Sequence, residues 1–147
     1  MEQIGVVQNG VKEPTDVGWG DVVSEIVLDE RLANGLDGIE QFSHLLILFW
    51  MHRAEEAEPV RMRRRPQGRQ DMPEVGIFAQ RARHRPNPIG VTAVRLLSRD
   101  RNRLIVRGLD AINGTPVLDV KPYVPRYDTV VSPVVPDWID RLMERYF

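Results

Sequence analysis

The sequence predicts a mainly β protein, a small closed or nearly closed antiparallel barrel with short helices and a C-terminal helix. Three observations carry that reading. Six or seven short apolar or alternating segments recur along the chain, turn dipeptides separate them at close spacing, and a clear helical period of apolar residues appears only in the tail. Strands do not alternate with long helices, which argues against a doubly wound α/β sheet. The 147 residues suit one domain large enough to bury a substantial core. No linker, internal repeat or low-complexity tract divides it.

Ile4–Val7 is a short apolar strand ending at the turn dipeptide Asn9-Gly10. After Gly18-Trp19-Gly20-Asp21, the β-branched run Val22–Leu28 reads as a second strand. Asp29 reads as the N-cap of a helical turn to about Leu32, ended by Gly35. Leu45–Met51 is apolar without alternation, so it reads as a strand buried on both faces, with a buried helical turn as the competing reading. Ala54 to Pro73 is charged, Arg-rich and carries three prolines, which predicts a long loop rather than a regular element. Val75–Ala79 is a short strand. Ile89–Leu97 and Arg103–Leu109 form a hairpin about Ser98–Asn102, and Pro116–Val120 follows the turn at Asn113-Gly114. In the tail, Trp138, Ile139, Leu142, Met143 and Tyr146 share one face, predicting a helix over about 137–147.

Hydrophobic residues make up 42% and charged residues 28%, ordinary values for a globular chain. The absence of cysteine excludes disulfides, a thiol nucleophile and a Cys-ligated zinc site. The first residues show no basic region followed by an apolar stretch, and the longest apolar run is far too short to span a bilayer. A cytoplasmic protein with no membrane partner is expected. His44, His52 and His84 lack metal-ligand spacing, so no metal is expected. The net charge of −1 creates no global field toward nucleic acid, but the distribution is uneven. Lys12 and Lys121 are the only lysines, while Arg61, Arg63, Arg64, Arg65 and Arg69 cluster, followed by Arg81, Arg83 and Arg85. Codon bias is the plainer reading of an Arg-rich composition. A guanidinium nevertheless grips phosphate or carboxylate through two parallel hydrogen bonds, so a cluster points to an anionic partner.

The usual nucleotide signatures are missing. Gly18-Trp19-Gly20 has no third glycine opening a helix, and there is no phosphate loop ending in Gly-Lys-Ser/Thr. Two segments stand out instead. In Arg85-Pro86-Asn87-Pro88-Ile89-Gly90, two prolines fix their own φ angles and hold Arg85 and Asn87 extended, which presents the Asn87 amide rigidly. The plainer reading is a stiff crossover between strands. In Gly108–Tyr123, Asn113-Gly114 makes a tight turn whose backbone amides are candidates to face a ligand. Asp119 and Lys121 lie two apart and so share one strand face. A surface ion pair is the plainer reading of those two, and a self-satisfied turn residue the plainer reading of Asp110.

Gly76-Ile77-Phe78-Ala79-Gln80-Arg81, Arg85–Gly90 and Gly108–Tyr123 together resemble the signature of the TsaA-like family, as does Gly38–His44. The similarity covers roughly residues 4–125. Characterised members are tRNA methyltransferases that modify the threonylcarbamoylated adenosine beside the anticodon. The resemblance implies a β-barrel that binds S-adenosylmethionine without a Rossmann sheet, usually as a homodimer. It places the cofactor at His52, Arg53, Arg81, Val91 and the Leu109–Ile112 turn, which includes Asp110 and Ala111. The Asn9–Gly20 loop departs from the family in lacking its Ser-Pro pattern, and longer members carry an additional C-terminal domain.

In the substrate that the resemblance implies, the acceptor nitrogen adjoins a carbonyl and must lose or share its proton. Asn87, through its side-chain oxygen, and the Pro88 carbonyl are candidate acceptors by analogy with Asn-Pro sequences in amino-methyltransferases, with Asp119 as the alternative. Residues expected to face substrate are Arg63, Arg64, Arg65 and Arg69 of the Arg-rich loop, with Arg85, Lys121 and Tyr123 of the motif segments. The tRNA anticodon loop is the expected partner. A same-fold methyltransferase on a small molecule and a non-catalytic cofactor-binding module are the rival readings. A plain RNA-binding barrel is disfavoured, because no strand combines basic and aromatic residues.

Overall fold

The computed structural model describes residues 2–54 and 59–147. Its strands are β1 (Gly5–Gln8), β2 (Val23–Leu28), β3 (His44–Trp50), β4 (Arg63–Arg64), β5 (Val75–Gly76), β6 (Ile89–Asp100), β7 (Arg103–Arg107) and β8 (Pro116–Pro122). Two short helices follow, α1 (Pro125–Asp128) and α2 (Trp138–Met143). Six strands close into an antiparallel barrel in the order β1-β2-β7-β6-β3-β8, while β4 and β5 form a separate ribbon. Closure leaves no sheet edge free at either end of that order. The core is the inner face of the barrel: Val7, Ile26, Leu45, Ile47, Leu104, Val106 and Val117 are all fully buried.

Several elements differ from expectation. In β3 only Leu45, Ile47 and Phe49 are buried, and the alternate residues Leu46, Leu48 and Trp50 are half-buried on the outside. Apolar composition hid the alternation, because both faces are apolar and only one is sealed. The helical turn after Asp29 is a 3-10 segment, Glu30–Leu36, with Asp29 accepting from the Arg31 amide. Gly35 lies inside it, and the left-handed glycine, Gly38 with φ 89°, comes only after its end. The Arg-rich stretch contains a 3-10 turn at Pro66–Gly68 and contributes β4, whose Arg63 and Arg64 pair with Gly76 and Val75. The segment at Val75 is a strand for two residues and then a 3-10 turn, Ile77–Ala79. The C-terminal helix is six residues long rather than spanning to Phe147. Its continuation is drawn off because the Arg145 and Tyr146 carbonyls accept from the amides of Gly18 and Trp19 at 2.9 and 2.8 Å.

One irregularity positions the site. β6 pairs with β3 over Ile89–Arg95, but with β7 only from Arg95 to Asp100. Among the described residues, no strand therefore pairs with the second side of Ile89–Val94. Within this stretch Gly90 sits opposite Phe49, and a Cβ built on Gly90 falls 2.3 Å from the Phe49 ring. Close ring packing, rather than backbone freedom, is what requires glycine there.

Candidate functional site

The unpaired side of β6 is filled by side chains rather than by a strand. Arg81 donates through a guanidinium nitrogen to the Val91 carbonyl, and the Thr92 hydroxyl donates to one oxygen of Asp110. The other Asp110 oxygen accepts from the Tyr146 hydroxyl at 2.7 Å. Burial first, and then the neighbouring Asp110 carboxylate, push the Tyr146 hydroxyl well above the ordinary tyrosine range. Asp16 raises it further and Arg81 opposes the shift, so both charges act on the same hydroxyl. Tyr146 is therefore a permanent donor at physiological pH. Arg81, Val91 and Asp110, expected at the cofactor, are brought together here with Thr92, Tyr146 and Asp16.

His52 and Arg53 follow β3 at this end of the barrel, where the Met51 amide donates to the Pro88 carbonyl at 2.8 Å. The buried Nδ1 of His52 has no hydrogen-bond partner among the described residues. An orphaned buried nitrogen costs on the order of 1–3 kcal/mol, so it marks a position that a ligand can repay. Arg53 donates to the Lys12 carbonyl at 2.9 Å and to Glu13 at 3.1 Å, tying the N-terminal loop to the site.

Leu109, Ala111 and Ile112 are buried, Leu109 and Ala111 within the barrel core, so this turn has its backbone groups and the Asp110 side chain, rather than those three side chains, to offer a cofactor. The Ala111 carbonyl accepts from the Asn9 side chain at 2.8 Å. The amides of Asn113 and Gly114 do not face a ligand, since they donate to the carbonyls of Val11 and Val7 at 2.7 and 2.8 Å. The Pro88 carbonyl already accepts from the Met51 amide, whereas Asn87 is exposed. Asp119 and Lys121 form the plainer arrangement, an ion pair of 2.5 Å on the outside of β8. Tyr123 packs edge-on against His44, at the far end of β3 from Trp50, and its hydroxyl bonds Thr129. Lys121 pairs with Leu46 from β8, on the opposite side of β3 from Thr92 of β6, and among the described residues no hydrogen bond or ion pair joins Lys121 or Tyr123 to the cluster at Asp110.

The arginines divide. Arg61, Arg63, Arg64 and Arg65, with Gly68 and Glu74, line a cavity of about 340 Å³. Arg65 is turned to the Met72 carbonyl, and Arg63 is held loosely by Glu74, with a 3.7 Å ion pair to its carboxylate and a 3.4 Å hydrogen bond to its carbonyl. Arg69 faces away, held by Asp71 at 2.6 Å and by the Arg141 carbonyl at 3.2 Å. Gln80 donates from its side chain to the Arg64 carbonyl at 3.1 Å and accepts on its own carbonyl from Arg85 at 3.1 Å, which joins the Arg cavity to the Arg85–Gly90 loop. No group of three or more metal-binding side chains occurs among the described residues.

Sequence reasoning missed Asn9, Thr92 and Tyr146. Asn9 was legible only as a turn residue, yet its side chain bridges Ser24 and Ala111. Tyr146 was read as part of an apolar helical face, and nothing local links it to a residue 36 positions earlier.

Comparison with known proteins extends these observations. The sequence profile of the tRNA-methyltransferase O N-terminal domain matches residues 10–129. An S-adenosyl-L-methionine-binding protein of Archaeoglobus fulgidus is 40% identical over 134 residues, 88% of this chain and 93% of that protein. The tRNA (adenine(37)-N6)-methyltransferase of Homo sapiens is 38% identical over 102 residues, 65% of this chain but only 21% of that protein. The crystal structure of TrmO from Pseudomonas aeruginosa superposes with a TM-score of 0.72 at 32% identity, over 90% of this chain and 58% of that one. The chain thus spans less than two thirds of the solved structure it matches.

Proposed function

The chain belongs to the tRNA-methyltransferase O N-terminal domain family, and from that premise we propose that it transfers the methyl group of S-adenosylmethionine to the exocyclic nitrogen of threonylcarbamoylated adenosine at position 37 of tRNA. The observation that carries this reading is the meeting of Arg81, Val91 and Asp110 along the unpaired side of β6, to which the orphaned Nδ1 of His52, two residues past the end of β3, adds a second open polar position. The residues present fit the cofactor. Arg81 suits a methionine carboxylate, Asp110 suits a hydroxyl or cationic group, and His52 has a ring nitrogen to offer. When bound, S-adenosylmethionine supplies a methyl group on a cationic sulfur, leaving as S-adenosylhomocysteine while the acceptor nitrogen loses a proton.

The protein's own part is to bind, orient and accept that proton. Thr92 and Tyr146 fix both oxygens of Asp110, which spares the site reorganisation when a ligand arrives. Asn87, exposed between two prolines at the start of β6, is the hydrogen-bond acceptor for the substrate N–H. Asp119 serves this role only if it gives up Lys121. In the Arg-lined cavity, Arg61, Arg63 and Arg64 receive the anionic parts of the substrate, namely anticodon-loop phosphates and the threonyl carboxylate, while Arg65 is held by the Met72 carbonyl. A tRNA substrate sets the cytoplasm as the place of action, and no described helix is long and apolar enough to cross a membrane.

The working unit is proposed to be a homodimer. Val130, Val131, Val134 and Val135 are all exposed, and Leu46, Leu48 and Trp50 add apolar area outside β3. Light scattering that finds a fully active monomer at micromolar concentration would remove the dimer from the reading. The test of the activity is transfer of labelled methyl from S-adenosylmethionine to tRNA with and without the threonylcarbamoyl group. Preference for the modified tRNA is expected, because the threonyl carboxylate adds a charge-assisted contact to the Arg cavity. Turnover of neither tRNA overturns the reading in favour of a small-molecule acceptor or a binding module.

A further inference from the structure

Phe78 is 75% exposed although it lies between anchored neighbours. Ile77 is fully buried and its amide donates to the Met62 carbonyl at 2.9 Å. Gln80, two residues on, is also buried, and its side chain is bonded to Arg64. The 3-10 turn Ile77–Ala79 is therefore pinned on both sides and holds the Phe78 ring outward. A large apolar ring in water on a fixed turn gains nothing for the fold.

Its surroundings are cationic. The Arg85 guanidinium lies 6.0 Å from the ring centroid. Gly76, two residues before Phe78, pairs with Arg63, so the turn emerges beside the cavity of Arg61, Arg63, Arg64 and Arg65. A ligand that matches both features carries negative charge and a flat π-face. Single-stranded nucleic acid has both at every residue, and stacking tolerates any base. An acidic peptide meets the charge but leaves the ring without a stacking partner.

We propose that Phe78 is a base-stacking platform, with Arg85 and the Arg cavity gripping the adjoining phosphates, so that one unpaired nucleotide of the RNA lies on the ring. The inference rests on the tRNA reading for its natural ligand and adds a contact that no basic, aromatic strand supplies. The strands carry neither feature together; the ribbon and the turn after it bring them into one place.

The experiment uses the full chain with fluorescently labelled anticodon stem-loop RNA and a labelled single-stranded oligonucleotide, read by anisotropy. Phe78→Ala and Phe78→Leu are expected to weaken binding of both RNAs about tenfold or more, the size of one lost stacking contact. Phe78→Trp keeps a π-face and is expected to bind at least as tightly as wild type. All three are expected to retain the wild-type unfolding temperature, because the ring is outside the core, and to bind S-adenosylmethionine unchanged by calorimetry. Wild-type affinity in Phe78→Leu would overturn the platform, since apolar area without a ring would then suffice. Equal binding of an acidic peptide, lost with Phe78→Ala, would replace RNA by a protein partner. A wild type that binds the oligonucleotide through Phe78 but methylates no tRNA keeps the platform and removes only the tRNA reading.

Discussion

Neutralising Arg61, Arg63 and Arg64 together tests whether their cavity meets phosphate. These three are chosen because the structure leaves them available. Arg63 has only its loose contact with Glu74, whereas Arg65 is spent on the Met72 carbonyl and Arg69 on Asp71 and Arg141. Each phosphate contact on single-stranded RNA contributes about 0.7 to the slope of log affinity against log salt, so the triple Gln variant should flatten that slope by about 2. Its deficit relative to wild type should then shrink about twentyfold between 50 and 200 mM salt. Titration of labelled anticodon stem-loop across that range, by anisotropy or filter binding, measures both quantities. Arg65→Gln and Arg69→Gln are the internal controls, expected to leave the slope nearly unchanged. An unchanged slope in the triple variant, or an equal change in Arg69→Gln, would refute the assignment of the cavity to phosphate.

Two further outcomes follow from the geometry. Tyr146→Phe removes only the hydroxyl that holds Asp110, so calorimetry should show cofactor affinity about tenfold weaker with little change in unfolding temperature; tighter binding would mean that Tyr146 blocks the site. Gly90→Ala places a Cβ against the Phe49 ring, and urea unfolding should show a loss of about 1–3 kcal/mol from overpacking; undiminished stability would show that the ring moves freely.

The sequence determined the barrel class, the order of its strands along the chain, and the stiffness of Arg85–Gly90. Those properties rest on local physics, namely alternation, turn chemistry and proline geometry, which neighbouring residues settle among themselves. It read the Arg-rich stretch as a loop and missed that Arg63 and Arg64 form β4, because a two-residue strand carries no alternation to read. The fate of each arginine was beyond it, because a guanidinium on a long side chain goes to whichever carbonyl or carboxylate the fold brings within reach. Arg65 found Met72, Arg69 found Asp71 and Arg141, and Arg81 found Val91. Asp119 and Lys121 were readable as a pair from their spacing, and so they are. Only the tertiary structure decided that β6 outruns β7 and leaves a side without a strand, since register between two strands is set by a bulge and a turn rather than by either strand alone. Only it brought Tyr146 back to Asp110, because that contact depends on backbone bonds from Gly18 and Trp19 that no local pattern encodes.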